Sequence, residues 1–148
     1  MYIYAHKTYN WCLFLCFVFD LHYLCKQNNK ERMKRNIAVI LAGGVGSRLG
    51  MSTPKQFFKV AGKMVVEHTV DVFERNQRID EIAIVANPML ISDFENIVLR
   101  NKWRKVKKIL KGGKERYDSS LSAILAYSNQ DVNLIFHDAV RPLVSQRI

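Results

Sequence analysis

Gly43, Gly44, Gly46 and Gly50 fall within eight positions, and Arg48 and Lys55 stand beside them. Residues of these types at this spacing describe a backbone that must approach an anion closely. Glycine, without a Cβ, lets main-chain N–H groups converge, and the two cationic side chains add charge at the same place. Phosphate is the guest such a loop suits. Two common phosphate loops are excluded by counting. A Walker A loop needs Gly-Lys after four intervening residues, but the fifth residue after Gly44 is Leu49. The dinucleotide fingerprint would need a third glycine at position 49, and the chain has it at Gly50.

Two further clusters carry related chemistry. Lys111, Lys114 and Arg116 surround Gly112 and Gly113, and Ser119 and Ser120 follow near the start of an expected helix, where main-chain N–H groups favour anions. Asp138 is a lone carboxylate at the end of an apolar run, flanked by Ala139 and Arg141. Beside a triphosphate such a carboxylate is most useful as a Mg²⁺ ligand, because Mg²⁺ takes one or two carboxylates together with phosphate oxygens and water. The alternative is a structural ion pair between Asp138 and Arg141.

The elements that must position these clusters alternate. Strand-like apolar runs at Ile37 to Leu41, Ile82 to Ala86, Val106 to Leu110 and Val132 to Phe136 are separated by stretches of helical period. The first helix, Met64 to Arg75, places Val65, Val66, Thr69, Val70 and Phe73 on one side. The second, Ile91 to Arg100, does the same with Ile91, Phe94, Ile97 and Val98. A third is expected to be capped by Asp118, with Leu121, Ile124 and Leu125 sharing a face. This alternation predicts an α/β fold with a doubly wound, mostly parallel, Rossmann-like sheet. In such a sheet the segments after the first, third and fourth strands can meet at one edge, where ligands bind. No closing element follows Pro142, so the reading expects the front portion of a larger domain.

Composition sets bounds but does not choose a ligand. The 148 residues suffice for one domain with a core, and 49% hydrophobic and 24% charged residues are ordinary for a globular protein. The net charge of +10 suits nucleic acid, a membrane surface or a polyanionic small substrate alike. Cys12, Cys16 and Cys25 all lie in the first 25 residues, which argues against a disulfide framework and for a cytoplasmic setting. Residues 1 to 32 differ from the rest. Their apolar run, Trp11 to Phe19, is too short to span a bilayer. It reads as sequence upstream of a start at Met33, as a membrane-associating leader, or as the core of a signal peptide. Without residues 1 to 32, four basic and two acidic residues are lost and +8 remains on residues 33 to 148. The lysine-rich stretch around Trp103, from Arg100 to Lys111, reads either as a nucleic-acid surface or as a solvated helix end and edge strand. His137 reads as a structural strand-end residue, and His68 has no evident partner.

Four segments together resemble a known family. Leu41 to Arg48, Pro54 to Phe57, Gly113 to Ser119 and His137 to Pro142, in that order, look like the cytidylyltransferases that act on polyol phosphates. That family includes the methylerythritol-phosphate and ribitol-5-phosphate enzymes. Ala42-Gly43-Gly44 and Val140 are more similar to the ribitol-phosphate branch. The resemblance runs from about Lys34 to the end of the chain. It implies that Arg48 and Lys55 hold the triphosphate of CTP, with Arg141 supporting the site, and that Asp138 binds Mg²⁺. It also implies that Ala42, Gly43, Gly44, Gly46, Gly113, Arg116, Ser119 and Ala139 surround the nucleotide. Partners would be CTP and a polyol phosphate rather than nucleic acid, the longer form would be a homodimer, and a second metal ligand and the acceptor-binding residues would lie beyond this chain. A CTP-binding module without catalysis is the alternative from another functional class.

Overall fold

The structure, a computed structural model, describes residues 34–44 and 53–145. The readings for residues 1 to 32, Gly46, Arg48 and Gly50 fall outside those residues. Four parallel strands form the main sheet: β1 (Arg35–Ala42), β4 (Glu81–Ala86), β5 (Val106–Lys111) and β6 (Val132–Asp138), in the order β5-β4-β1-β6. A small antiparallel hairpin, β2 (Lys59–Val60) and β3 (Lys63–Met64), leads into helix α1 (Val65–Arg75). Helices α2 (Ile91–Asn101) and α3 (Arg116–Ala126) and two 3-10 turns, Lys55–Phe57 and Pro88–Leu90, complete the described elements.

The strands extend up to two residues past their apolar runs, because polar ends continue the ladder: Arg35 pairs with Val132 and Leu41 with Asp138. Side-chain alternation then divides the core into two layers. Ala38, Ile40, Ile82, Ile84 and Ala86 face one cluster with Val66, Val70 and Phe73 of α1 and Phe94 of α2. Ile37, Val39, Ala83 and Val85 face the other side, with Ala123 and Tyr127 from α3 and the residue after it. Every residue of β4 is buried, as a central parallel strand covered on both faces requires.

Helix α3 departs from expectation. Its cap is Glu115, and Asp118 sits three residues in, accepting from the Glu115 backbone N–H at 2.9 Å. It buries Ser119 and Ala123, whereas Leu121, Ile124 and Leu125 are exposed. Small side chains let this helix lie close to the sheet, so closeness of approach rather than apolar bulk selects the buried face.

Trp103 is buried too, its Nε1–H donating to Asp71 Oδ1 at 2.8 Å, which removes it as a stacking platform for bases. Three of its basic neighbours are engaged in the fold. Arg100 pairs with Glu67 at 2.7 Å, Lys105 Nζ donates to Asn76 O at 2.7 Å, and Lys108 Nζ donates to Ala126 O and lies 4.0 Å from the Tyr127 ring centroid. His68 has a partner after all, its Nε2–H donating to Val60 O at 2.7 Å.

Glu67 clamps α1 to α2. Its carboxylate accepts from the Met64 backbone N–H, the Arg100 guanidinium and the Asn101 amide, each at 2.7 Å. Burial pushes its carboxyl up, but the hydrogen bonds from Asn101, Met64 and Arg100 together outweigh burial and hold it below the ordinary value of 4.5. Glu67→Ala strands three donors and is expected to cost about 2–3 kcal/mol in urea unfolding. Because the folded value is lowered, this stabilisation is complete above the unfolded value near 4.5 and is lost as pH falls through the folded value. The difference between wild type and Glu67→Gln therefore shrinks on acidification.

Candidate active site

Strand register builds the site. Leu41 lies opposite Asp138, Ala42 opposite Ala86, and Ala86 opposite Lys111, so the chain leaves β1, β5 and β6 at one level of one sheet edge. The three exits enclose a cavity of about 310 Å³. Ala42, Gly43 and Gly44 form one wall. Gly113, Lys114, Glu115, Arg116 and Ser119 form the second, and Asp138, Ala139 and Val140 the third. Lys55 and Gln56 close the fourth side from a 3-10 turn, Lys55–Phe57, that opens directly after Pro54. Arg141 lies outside this lining and bears on the site through Asp138.

The Lys55 turn is held from several directions. Phe57 N–H donates to Pro54 O at 3.0 Å, and the Phe57 ring packs against Phe94 with centroids 5.4 Å apart. Gln56, 2% exposed, donates through Nε2 to Ala42 O at 3.3 Å and so ties the turn to the end of β1. None of the described ion pairs includes Lys55 or Lys114. Both ammonium groups are available to an anion in the cavity.

Asp138 makes the structural pair weighed for it and also lines the cavity. Its Oδ2 pairs with Arg141 Nε at 3.1 Å, as the structural alternative expects. Its Oδ1 pairs with Arg116 Nη2 at 3.0 Å, and the carboxylate still faces the cavity. Arg116, which the resemblance places around the nucleotide, thus also reaches Asp138. The turn beyond is pinned by Ala139 N–H to Leu41 O at 3.0 Å and Arg141 N–H to Asp138 O at 3.2 Å. His137 adds a bond from Nε2 to Arg141 O at 2.9 Å, which requires the proton on Nε2, and packs on Phe73 at 5.2 Å. Its role here is structural.

Ser119 lines the cavity, yet its hydroxyl is engaged within the wall. It accepts from Gly113 N–H at 3.3 Å and donates to Glu115 O at 3.2 Å. The glycines at this corner are required sterically. A Cβ on Gly113 would stand 2.1 Å from the Asp118 Cβ, whereas one on Gly44 would meet nothing within 4 Å. Gly113→Ala is therefore expected to cost about 1–3 kcal/mol in thermal or urea unfolding, the range typical of overpacking. Gly44→Ala is expected to leave stability unchanged and weaken only ligands that approach the backbone, which calorimetric titration checks.

Among the described residues, no three His, Cys, Asp or Glu side chains are placed to hold a metal ion together. One cavity-lining carboxylate, Asp138, beside cationic walls still fits Mg²⁺, whose other ligands are phosphate oxygens and water. No helix among the described residues is long and apolar enough to cross a membrane. Sequence reasoning missed Gln56 as a lining residue and Thr69 as a hydrogen-bond partner of the turn after β6. Gln56 was legible only as the neighbour of Lys55, and Thr69 only as part of the buried face of α1.

Comparison with known proteins agrees with this geometry. The family model described as IspD, 2-C-methyl-D-erythritol 4-phosphate cytidylyltransferase, matches residues 36–148. The bifunctional ribulose 5-phosphate reductase/CDP-ribitol pyrophosphorylase Bcs1 of Haemophilus influenzae is 51% identical over 116 residues, covering 77% of this chain and 24% of that protein. The 2-C-methyl-D-erythritol 4-phosphate cytidylyltransferase of Thermobifida fusca is 41% identical over 119 residues, covering 79% of this chain and 48% of the relative. Among solved structures, 4-diphosphocytidyl-2C-methyl-D-erythritol synthase of Anaerococcus prevotii superposes with a TM-score of 0.64 at 27% identity, over 76% of this chain and 47% of the other. The chain thus spans about half the length, or less, of the relatives it matches. With the family model matching from Asn36 onward and the parallel sheet superposing on that of a solved member, the chain belongs to the 2-C-methyl-D-erythritol 4-phosphate cytidylyltransferase (IspD) family.

Proposed function

We propose that the whole protein transfers a cytidylyl group from CTP to a polyol phosphate and releases pyrophosphate. The observation that carries this reading is the convergence of Lys55, Lys114, Arg116 and Asp138, from two strand exits and one turn, on a single cavity walled by Gly43 and Gly44 at the exit of β1. Ribitol 5-phosphate is the favoured acceptor and 2-C-methyl-D-erythritol 4-phosphate the next. That order rests on Ala42-Gly43-Gly44 and Val140, and the 51% identity to a relative named as a CDP-ribitol pyrophosphorylase, against 41% to one named for methylerythritol phosphate, supports it.

In the proposed reaction an oxygen of the acceptor phosphate forms a bond to the α-phosphorus of CTP. The bond from that phosphorus to the oxygen bridging to the β-phosphorus breaks, and pyrophosphate leaves with the electron pair. Two anions must meet and further negative charge must be stabilised, so fixed positive charge and positioning are the devices required. Lys55 supplies charge at the triphosphate, as does Arg48. Arg141 supports Asp138, and Ala42, Gly43, Gly44, Gly46, Gly113, Arg116, Ser119 and Ala139 surround the nucleotide. Asp138 would hold Mg²⁺, which when bound neutralises phosphate charge. The proposal also treats residues 1 to 32 as outside the nucleotide-binding unit and the whole protein as a cytoplasmic homodimer with no nucleic-acid partner.

The test is pyrophosphate release by the whole protein with CTP, Mg²⁺ and each acceptor in turn, alongside thermal unfolding with CTP. Turnover with ribitol 5-phosphate supports the assignment and its order. Turnover with methylerythritol phosphate alone reverses the order. A CTP-dependent rise in melting temperature without turnover leaves a CTP-binding module, and no shift with CTP and Mg²⁺ overturns the reading.

A further inference from the structure

We propose that Thr69, buried in α1 and remote in sequence from every motif of the site, is a positioning residue that sets the spacing between Lys55 and Asp138. Thr69 is fully buried, and its Oγ1 lies 2.8 Å from the carbonyl oxygen of Ala139, 70 residues away. The same hydroxyl lies 3.2 Å from Val65 O on its own helix. It has one proton to give. Val65 O already belongs to the helical ladder, whereas Ala139 is 1% exposed and its carbonyl needs a donor, so the shorter contact is the one that matters.

The contact ties two walls of the cavity to one helix. At its start, α1 is locked to the turn carrying Lys55, because Val65 N–H donates to Phe58 O at 2.8 Å and Phe58 N–H donates to Lys55 O at 3.1 Å. One turn later, the Thr69 hydroxyl grips the residue that follows Asp138. The path Lys55, Phe58, Val65, Thr69, Ala139, Asp138 is therefore short and runs through the first turns of one rigid helix. The other pins on the 138–141 turn come from β1, from Arg116, from within the turn and from His137; of these only β1 also reaches the Lys55 side, through Gln56 Nε2 on Ala42 O, so Thr69 supplies the second and separate link, through α1. Catalysis by positioning is sensitive to such spacing, since a displacement of about 1 Å can cost on the order of 10²-fold in rate.

This inference rests on the proposed function for its effect on rate but not for its effect on structure, and the experiment separates the two. Thr69→Val keeps the shape of the side chain and removes the donor, and Thr69→Ser keeps the donor and removes a methyl. Amide hydrogen exchange of the ligand-free whole protein is expected to quicken at residues 137–142 in Thr69→Val, with other buried segments unchanged, and to remain at the wild-type rate there in Thr69→Ser. In parallel, kcat for pyrophosphate release should fall about 10-fold in Thr69→Val with KM for CTP nearly constant, and Thr69→Ser should return to within about threefold of wild type. A purely structural residue gives another pattern, in which both variants slow in proportion to lost stability. Unchanged exchange at 137–142 in Thr69→Val, or equal slowing of the two variants, overturns the proposal. Should Thr69→Val not accumulate as folded protein, Thr69→Ala is compared with Thr69→Ser by the same criteria. If wild type releases no pyrophosphate, the functional reading fails and the exchange result alone still decides the role of Thr69.

Discussion

Lys55→Ala is expected to lower kcat/KM for pyrophosphate release by about 10²- to 10³-fold while leaving the melting temperature near that of wild type. That is the scale seen when one preorganised charge is withdrawn from a developing oxyanion. Two observations separate the expected loss of rate from loss of structure. The turn bearing Lys55 is held by its neighbours, through the buried Gln56 amide on Ala42 O and the Phe57 ring on Phe94, so its backbone does not depend on the ammonium. None of the described ion pairs involves that ammonium, so its removal strands no buried carboxylate. Arg48→Ala is expected to lose activity on the same scale, by the role that family resemblance implies. Steady-state kinetics with both substrates varied, together with thermal unfolding, checks both variants. An undiminished rate in either one removes the triphosphate assignment.

Asp138→Asn is expected to bring turnover down to the background of the assay, a loss of about 10³-fold or more, and to shift the Mg²⁺ dependence to higher concentration. The asparagine keeps the shape of the side chain but leaves Arg116 and Arg141 facing a neutral amide. Stability should scarcely change. The guanidinium side chains are 71% and 75% exposed, and ion pairs with such partners contribute about 0–1 kcal/mol. Large loss of rate with small loss of stability distinguishes a carboxylate that serves the ligand from one that merely pairs with Arg141. Titration of activity against Mg²⁺ and urea unfolding of both proteins measure the two quantities. A fully active Asp138→Asn would return Asp138 to the structural role.

The alternation of apolar strands and helical periods was legible because it follows from local geometry: parallel strands covered on both faces, β1 and β4, read as short continuous apolar runs, and α1 and α2 repeat about every 3.6 residues. The loops that must meet were legible for a related reason, since parallel strands all end at the same edge. The sequence by itself therefore determined the order of elements, the glycine cradles after β1 and β5, and the placement of Asp138 at the end of β6.

Tertiary structure decided what sits next to what across long separations. Periodicity marks the apolar residues of α3 but not how closely the helix lies on the sheet, so Ser119 and Ala123 are inside while Leu121 and Leu125 are outside. Local sequence around Trp103 is basic, and only its placement against Asp71 makes it a core residue. Asp138 has Arg141 three residues away, as the sequence allowed, but its second partner, Arg116, comes from another loop. Thr69 looked like one more buried residue of an amphipathic helix, and its hydroxyl acquires a partner only because α1 packs beneath the turn after β6. Residue types and spacing set the chemical means, and packing between distant segments sets which groups share a cavity, because hydrogen bonds and ion pairs act over a few ångströms regardless of distance along the chain.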